Sequence, residues 1–126
     1  MAAAPVRSYA REELVFDQNV SLRAIFLIKA GAVRVERQDR GAVIPIAVLG
    51  AGEFFGEMSF VDGTPTSARV VADEPTRLIV IDPVTVDALS TADPGFAGRL
   101  YRSIAAILAE RLRLTSARAY GDQSWG

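Results

Sequence analysis

The sequence predicts a mainly β domain finished by C-terminal helices, and three observations carry that prediction. Short β-prone runs broken by turn residues fill positions 14–49, and two more apolar runs, Ala68 to Ala72 and Arg77 to Ile81, follow a Gly-containing stretch. From Pro94 onward the apolar residues switch to a spacing of three and four. One domain is expected, because 126 residues, half of them apolar, can bury a real core but are too few for two full domains.

Residues 1–13 are small, polar and charged without a clear period, so they read as a loose N-terminal arm or at most a short helix. The domain proper is expected over 14–118. Its first strands are Leu14-Val15-Phe16, Ile25 to Ile28, Val33-Arg34-Val35 and Val43 to Leu49. They are separated by Asp17-Gln18-Asn19, Gly31, Asp39-Arg40-Gly41 and Gly50-Ala51-Gly52, residue types that accept the positive φ of tight turns. The Asp39 to Gly41 break predicts a hairpin. Val33 and Val35 alternate with charged neighbours, and Ile44, Ile46 and Val48 recur at spacing two, so each strand is expected to put these residues in the core. Pro45 cannot donate a ladder hydrogen bond and predicts an edge position or a bulge. Asp73-Glu74-Pro75-Thr76 forms the turn between the last two strands.

Asp82-Pro83 supplies an N-cap and a first-turn proline for a short helix, and Asp93-Pro94 repeats the device. The second helix is expected to run from Pro94 to about Arg118, with Phe96, Leu100, Ile104, Ile107, Leu108 and Leu112 on one stripe. Residues 119–126, which hold Trp125, read as a tail.

Composition excludes much chemistry. With no cysteine and no histidine there is no disulfide, no thiolate or imidazole metal site and no histidine-based triad, and no carboxylate stands in a spacing that singles it out for acid/base work, so no catalytic residue and no metal are expected. A net charge of −1 gives no general attraction to nucleic acid. The apolar runs fall short of a membrane span and the N-terminus lacks a secretory core, which makes a cytoplasmic location the expectation.

Residues 52–68, Gly-Glu-Phe-Phe-Gly-Glu-Met-Ser-Phe-Val-Asp-Gly-Thr-Pro-Thr-Ser-Ala, are the least generic part of the chain. Gly56 lets backbone approach a ligand closely, and a short helical turn after it can aim N–H groups at an anion. Glu57 offers two acceptor oxygens for a sugar hydroxyl. The segment resembles the phosphate-binding cassette of cyclic-nucleotide-binding domains, with Phe55, Gly56, Glu57, Gly63, Pro65, Ser67 and Ala68 in matching order and spacing.

The resemblance runs from about Leu14 to Ser116 and is nearest to bacterial sensors of the catabolite-activator type. It implies a double-stranded β-helix (jelly-roll) barrel with C-terminal helices packed on it, and a ligand such as cyclic AMP, cyclic GMP or a related phosphate, with no cofactor. By the same resemblance Glu57 would take the ribose 2′-hydroxyl and Ser67 and Ala68 the phosphate. Met58, Ser59 and Thr66 join them as cassette positions, and Val35 would line the pocket floor. The run Arg111-Leu112-Arg113-Leu114-Thr115-Ser116 matches a helix that contacts the purine and forms a homodimer, which makes Arg111, Thr115 and Ser116 candidate base contacts and residues 94–118 the candidate dimer helix.

Two departures stand out. Thr66 occupies the place of the family's phosphate-pairing arginine, and a neutral hydroxyl replacing a charge-assisted partner forfeits roughly 1.5 to 3 kcal/mol. Arg69 is no substitute, because strand alternation sends it to the opposite face. The helix-turn-helix that follows in bacterial regulators is not expected here, nor is direct contact with nucleic acid or a membrane. The sequence therefore supports a stand-alone regulatory module or, alternatively, a dimerising protein-interaction module whose pocket is vestigial.

Overall fold

The computed structural model describes the backbone of residues 4–120 and the side chains of residues 4–114. Eight strands pair antiparallel in two sheets of four. The first holds, in spatial order, β1 (Val6–Tyr9), β8 (Thr76–Ile81), β3 (Ile25–Ala30) and β6 (Phe54–Phe55). The second holds β2 (Leu14–Phe16), β7 (Arg69–Ala72), β4 (Ala32–Asp39) and β5 (Ala42–Gly50). A short helix, α1 (Glu57–Asp62), interrupts the strands, and α2 (Pro83–Ala92) and α3 (Phe96–Tyr120) follow them.

The sheets are not closed into the expected barrel. Closure needs edge strands with long rows of free backbone groups, whereas β6 has two residues, β2 has three with a register irregularity, and β5 carries Pro45. The N-terminal arm also departs from expectation. Val6, Arg7, Ser8 and Tyr9 pair with Ile79, Leu78, Arg77 and Thr76, which makes residues 6–9 a true edge strand. Its first three residues are exposed, so no burial pattern marks it in the sequence.

The core fills the space between the sheets. Phe26, Ile28, Val33, Phe55, Val70, Leu78 and Val80 are buried together, with Phe16, Val35 and Leu49 packed around them. The Phe26 and Phe55 rings stack with centroids 5.1 Å apart, and Phe16 lies tilted at 5.5 Å from Phe26. On the other face of β3 and β8, Ile25 and Ile81 meet Phe60, Val86 and Ile104, with Phe96, Leu100 and Leu108 beside them. The apolar stripe of α3 therefore docks on the first sheet through its N-terminal half. Leu112 stays 66% exposed.

The hairpin between β4 and β5 turns through Arg40 and Gly41, whose φ angles of 52° and 81° suit the right-handed twist of the flanking strands. The pairing then passes from Glu36 opposite Pro45 to Val35 opposite Ala47, so Ile46 is the extra residue of a bulge on an edge strand, as Pro45 foretold. Ile44, Ile46 and Val48 are not core residues as the alternation suggested, being 45%, 51% and 63% exposed. The period was read correctly, but β5 is an edge strand whose outer part has no sheet to cover it.

Asp82 caps α2 by accepting the Thr85 N–H at 2.7 Å, with Pro83 in the first turn. The device is not repeated in full at Asp93. That residue ends α2 by donating its N–H to the Leu89 carbonyl, its carboxylate pairs with Arg99, and α3 starts at Phe96. Among the described residues no helix is long and apolar enough to cross a membrane. The Thr85 hydrogen bonds, chiefly that from its N–H, hold the Asp82 carboxyl below its ordinary pKa. The cap therefore contributes fully above the usual aspartate range and fades as pH falls through the lower folded-state value. Asp82→Ala is expected to lower stability by about 1 kcal/mol in urea unfolding at neutral pH, and Asp82→Asn by less.

Candidate ligand-binding site

The cassette begins where β6 pairs with β3. Phe55, opposite Phe26, buries its ring in the core, and the chain then turns at Gly56 with φ +82°. A Cβ at this glycine would lie 2.6 Å from the Ala24 carbonyl oxygen. The glycine is thus needed for close approach to the protein's own chain just before β3, a requirement the sequence reading did not include. Gly56 is also the N-cap of α1, and no side chain caps the helix there.

α1 turns Glu57 inward. Its side chain is only 4% exposed and pairs with the Arg111 guanidinium from α3, while a second Arg111 nitrogen donates to the Phe54 carbonyl at 2.9 Å. A buried carboxylate is tolerable when it is paired in this way. Arg111 thereby ties the cassette to the C-terminal helix across 54 residues of sequence.

Around these groups lies a cavity of about 380 Å³, within the range of about 300–1,000 Å³ found for small-molecule sites. The cassette residues Phe55, Gly56, Glu57, Met58 and Ser59 form one wall. Thr66, Ser67 and Ala68 form another, with Val35 and Arg111 completing the set that the sequence singled out. Thr115 and Ser116 lie outside the residues whose side chains are described. The sequence reading missed Phe16, Ile46, Ala47, Leu49, Val70 and Leu114. Val70 was within reach, standing two residues beyond Ala68, as was Leu114, three beyond Arg111. Ala47 and Leu49 enter through their pairing with Val35 and Val33, and Ile46 through the bulge, none of which a linear pattern specifies.

Thr66 does not act as an unassigned hydroxyl at the cavity. It is buried, its Oγ1 donates to the Asp17 carbonyl at 2.7 Å and accepts the Val20 N–H at 2.9 Å. Its backbone N–H donates to the Val20 carbonyl, and its own carbonyl accepts the Asn19 N–H. The residue staples the cassette to the 17–20 loop, and its hydroxyl proton is directed to the Asp17 carbonyl. Arg69 faces away, within 3.6 Å of Glu36. On that outer face Arg34 pairs with Glu12 and Asp73, and the Arg34 hydrogen bond holds the Glu12 carboxyl below its ordinary pKa. Among the described residues no cluster of three or more carboxylates is placed to hold a metal ion.

Two antiparallel sheets with a helical cassette at a cavity and a long helix laid across it are the architecture of a β-roll regulatory domain. A family model, the cyclic nucleotide-binding domain, matches residues 6–93, and the chain belongs to that family. It is 35% identical over 111 residues to the cyclic GMP-binding protein C of Dictyostelium discoideum, covering 87% of this chain and 4% of that protein. It is 37% identical over 108 residues to the cyclic AMP receptor protein of Thermus thermophilus, covering 85% of this chain and 48% of that protein. The chain therefore spans less than half the length of either relative. The crystal structure of Thermus thermophilus catabolite activator protein superimposes with a TM-score of 0.76 at 35% identity, covering 92% of this chain and 53% of that one.

Two substitutions test the local construction. Gly56→Ala forces a side chain into a left-handed turn against the Ala24 carbonyl, and is expected to lower the urea-unfolding free energy by about 2 kcal/mol. Thr66→Val keeps the shape but removes both hydroxyl hydrogen bonds, for an expected loss of about 1 to 2 kcal/mol by the same measurement.

Proposed function

We propose that this domain is a regulatory module that binds a cyclic nucleotide, cyclic AMP or cyclic GMP, or a related small phosphate ligand, in the cavity between Gly56-Glu57 and Ser67-Ala68. The observation that carries the reading is the convergence of the cassette residues on one cavity of about 380 Å³ with the buried Glu57 carboxylate in its wall. The sugar hydroxyl would donate to Glu57, and Ser67 and the backbone amides beside it would meet the phosphate. The names of the relatives support this ligand class. The module takes no cofactor and performs no catalytic step. Its location in this reading is the cytoplasm, and it contacts neither nucleic acid nor a membrane directly.

Occupancy is read out by α3. Glu57 is shared between the cavity and Arg111, so a ligand that engages Glu57 has a different affinity for each arrangement of the helix, and only such a difference can move the equilibrium. The 94–118 helix also serves as the homodimer contact, a reading supported by the exposed Leu112 and Leu114 beyond its docked half.

One observation favours a second reading. Thr66 stands where the family's arginine would be and is engaged with the 17–20 loop, which suits a dimerising interaction module with a vestigial pocket that binds a protein partner instead. Isothermal titration calorimetry separates the two. Saturable heat with cyclic AMP or cyclic GMP is expected, with Glu57→Gln weakening the affinity about tenfold. Absence of heat at millimolar ligand would leave the vestigial reading, to be followed by sedimentation analysis of the dimer and of Leu112→Asp.

A further inference from the structure

A cation would strengthen the hold of Ser67 and the backbone amides on a phosphate in the cavity, and position 66 supplies none. Arg111, which also lines the cavity, has its guanidinium engaged with Glu57 and the Phe54 carbonyl. On β4, however, the residues with one facing direction are Val33, buried in the core, Val35, in the cavity wall, and then Arg37. The bulge that disturbs this hairpin lies on β5, so β4 keeps its alternation through Arg37, which pairs with Ile44. The intervening Arg34 and Glu36 point the other way and join the outer ion pairs with Glu12, Asp73 and Arg69.

Arg37 reaches the cassette itself. Its Nε donates to the Ser67 carbonyl at 3.3 Å, a long bond on an exposed side chain. Arg37 takes part in no ion pair among the described residues, unlike Arg34 and Arg69 on the outer face. The guanidinium is therefore held against Ser67, a residue of the cavity wall, although Arg37 itself stands outside the lining.

We propose that Arg37 is the phosphate-pairing cation of this site, delivered from β4 in place of the arginine missing at position 66. The proposal rests on the reading of the cavity as a cyclic-nucleotide or related phosphate site. A guanidinium offers a planar fork of donors matched to two phosphate oxygens, and reorienting it from Ser67 gives up only a weak neutral hydrogen bond. A ligand bound this way sits between Glu57 on α1 and Arg37 on the hairpin, so the hairpin, and not the cassette alone, contributes to the site.

The test is calorimetric titration of the full chain with cyclic AMP and cyclic GMP, comparing wild type with Arg37→Gln and Arg37→Lys at low and high salt. Arg37→Gln is expected to weaken binding about ten- to a hundredfold, with Arg37→Lys recovering part of the loss. The gap should narrow as salt rises, because the pair is solvent-exposed. The residue is exposed, so an unchanged thermal midpoint is expected for both variants. Wild-type affinity in Arg37→Gln would overturn this assignment and leave the cavity reading standing, as would a loss that is equal at every salt concentration. Failure of the wild type to bind either nucleotide would overturn both.

Discussion

The backbone contact at Gly56 decides where everything else in the site can be. Its left-handed turn brings the chain against the Ala24 carbonyl, at a distance no side chain would permit. On one side of that turn Phe55 stacks on Phe26, with Phe16 tilted against both. On the other, α1 begins at once, with its first residue, Glu57, directed inward and its uncapped amides beside the cavity. A non-glycine here would have to move either the core aromatic or the carboxylate. The same glycine therefore sets both the edge of the hydrophobic core and the polar wall of the site.

The second organising feature is the two-faced character of β4. Its inner residues run from the core at Val33 to the cavity wall at Val35 and then to Arg37, which donates to the Ser67 carbonyl, while its outer residues Arg34 and Glu36 build an ion-pair network with Glu12, Asp73 and Arg69. These pairs are partly exposed and add modest stability individually. The outward direction of the arginines follows from the alternation of the strand itself. Direction on the cassette side is set by Thr66. By bonding to both Asp17 and Val20 it fixes the segment before Ser67, so Ser67 and Ala68 face the cavity with little freedom.

Most of the fold was legible because its signals are local. Turn residues at Asp39 to Gly41, the capping pair Asp82-Pro83 and the stripe from Phe96 to Leu108 each act over a few residues, and each stands where the pattern put it. The cassette was legible for a different reason, being a compact motif whose order and spacing resemble a known family. What could not be read was set by tertiary pairing. The arm at 6–9 is a strand only because β8 offers it an edge, and Ile44, Ile46 and Val48 are exposed only because β5 finds no cover. Likewise the direction of the Thr66 hydroxyl depends on a loop nearly fifty residues away, which no linear spacing encodes.

These constraints also determine which part of α3 can respond to the site. Its first half buries Ile104 against the sheet, with Phe96, Leu100 and Leu108 partly buried beside it, and a fully buried side chain of that kind contributes on the order of 1.5 to 3 kcal/mol. Beyond Leu108 the apolar residues Leu112 and Leu114 are largely exposed, and the attachment to the cassette runs through the polar contacts of Arg111 with Glu57 and Phe54. Because the Glu57 carboxylate is buried, its pairing depends on a partner remaining in place, whereas the packed apolar face depends on none. An event that repartners Glu57 therefore acts first on the distal half of the helix, with the docked half as its fulcrum. The fold thus separates an apolar anchor from a segment held by polar contacts within one helix, and the boundary between them falls where the apolar stripe leaves the sheet.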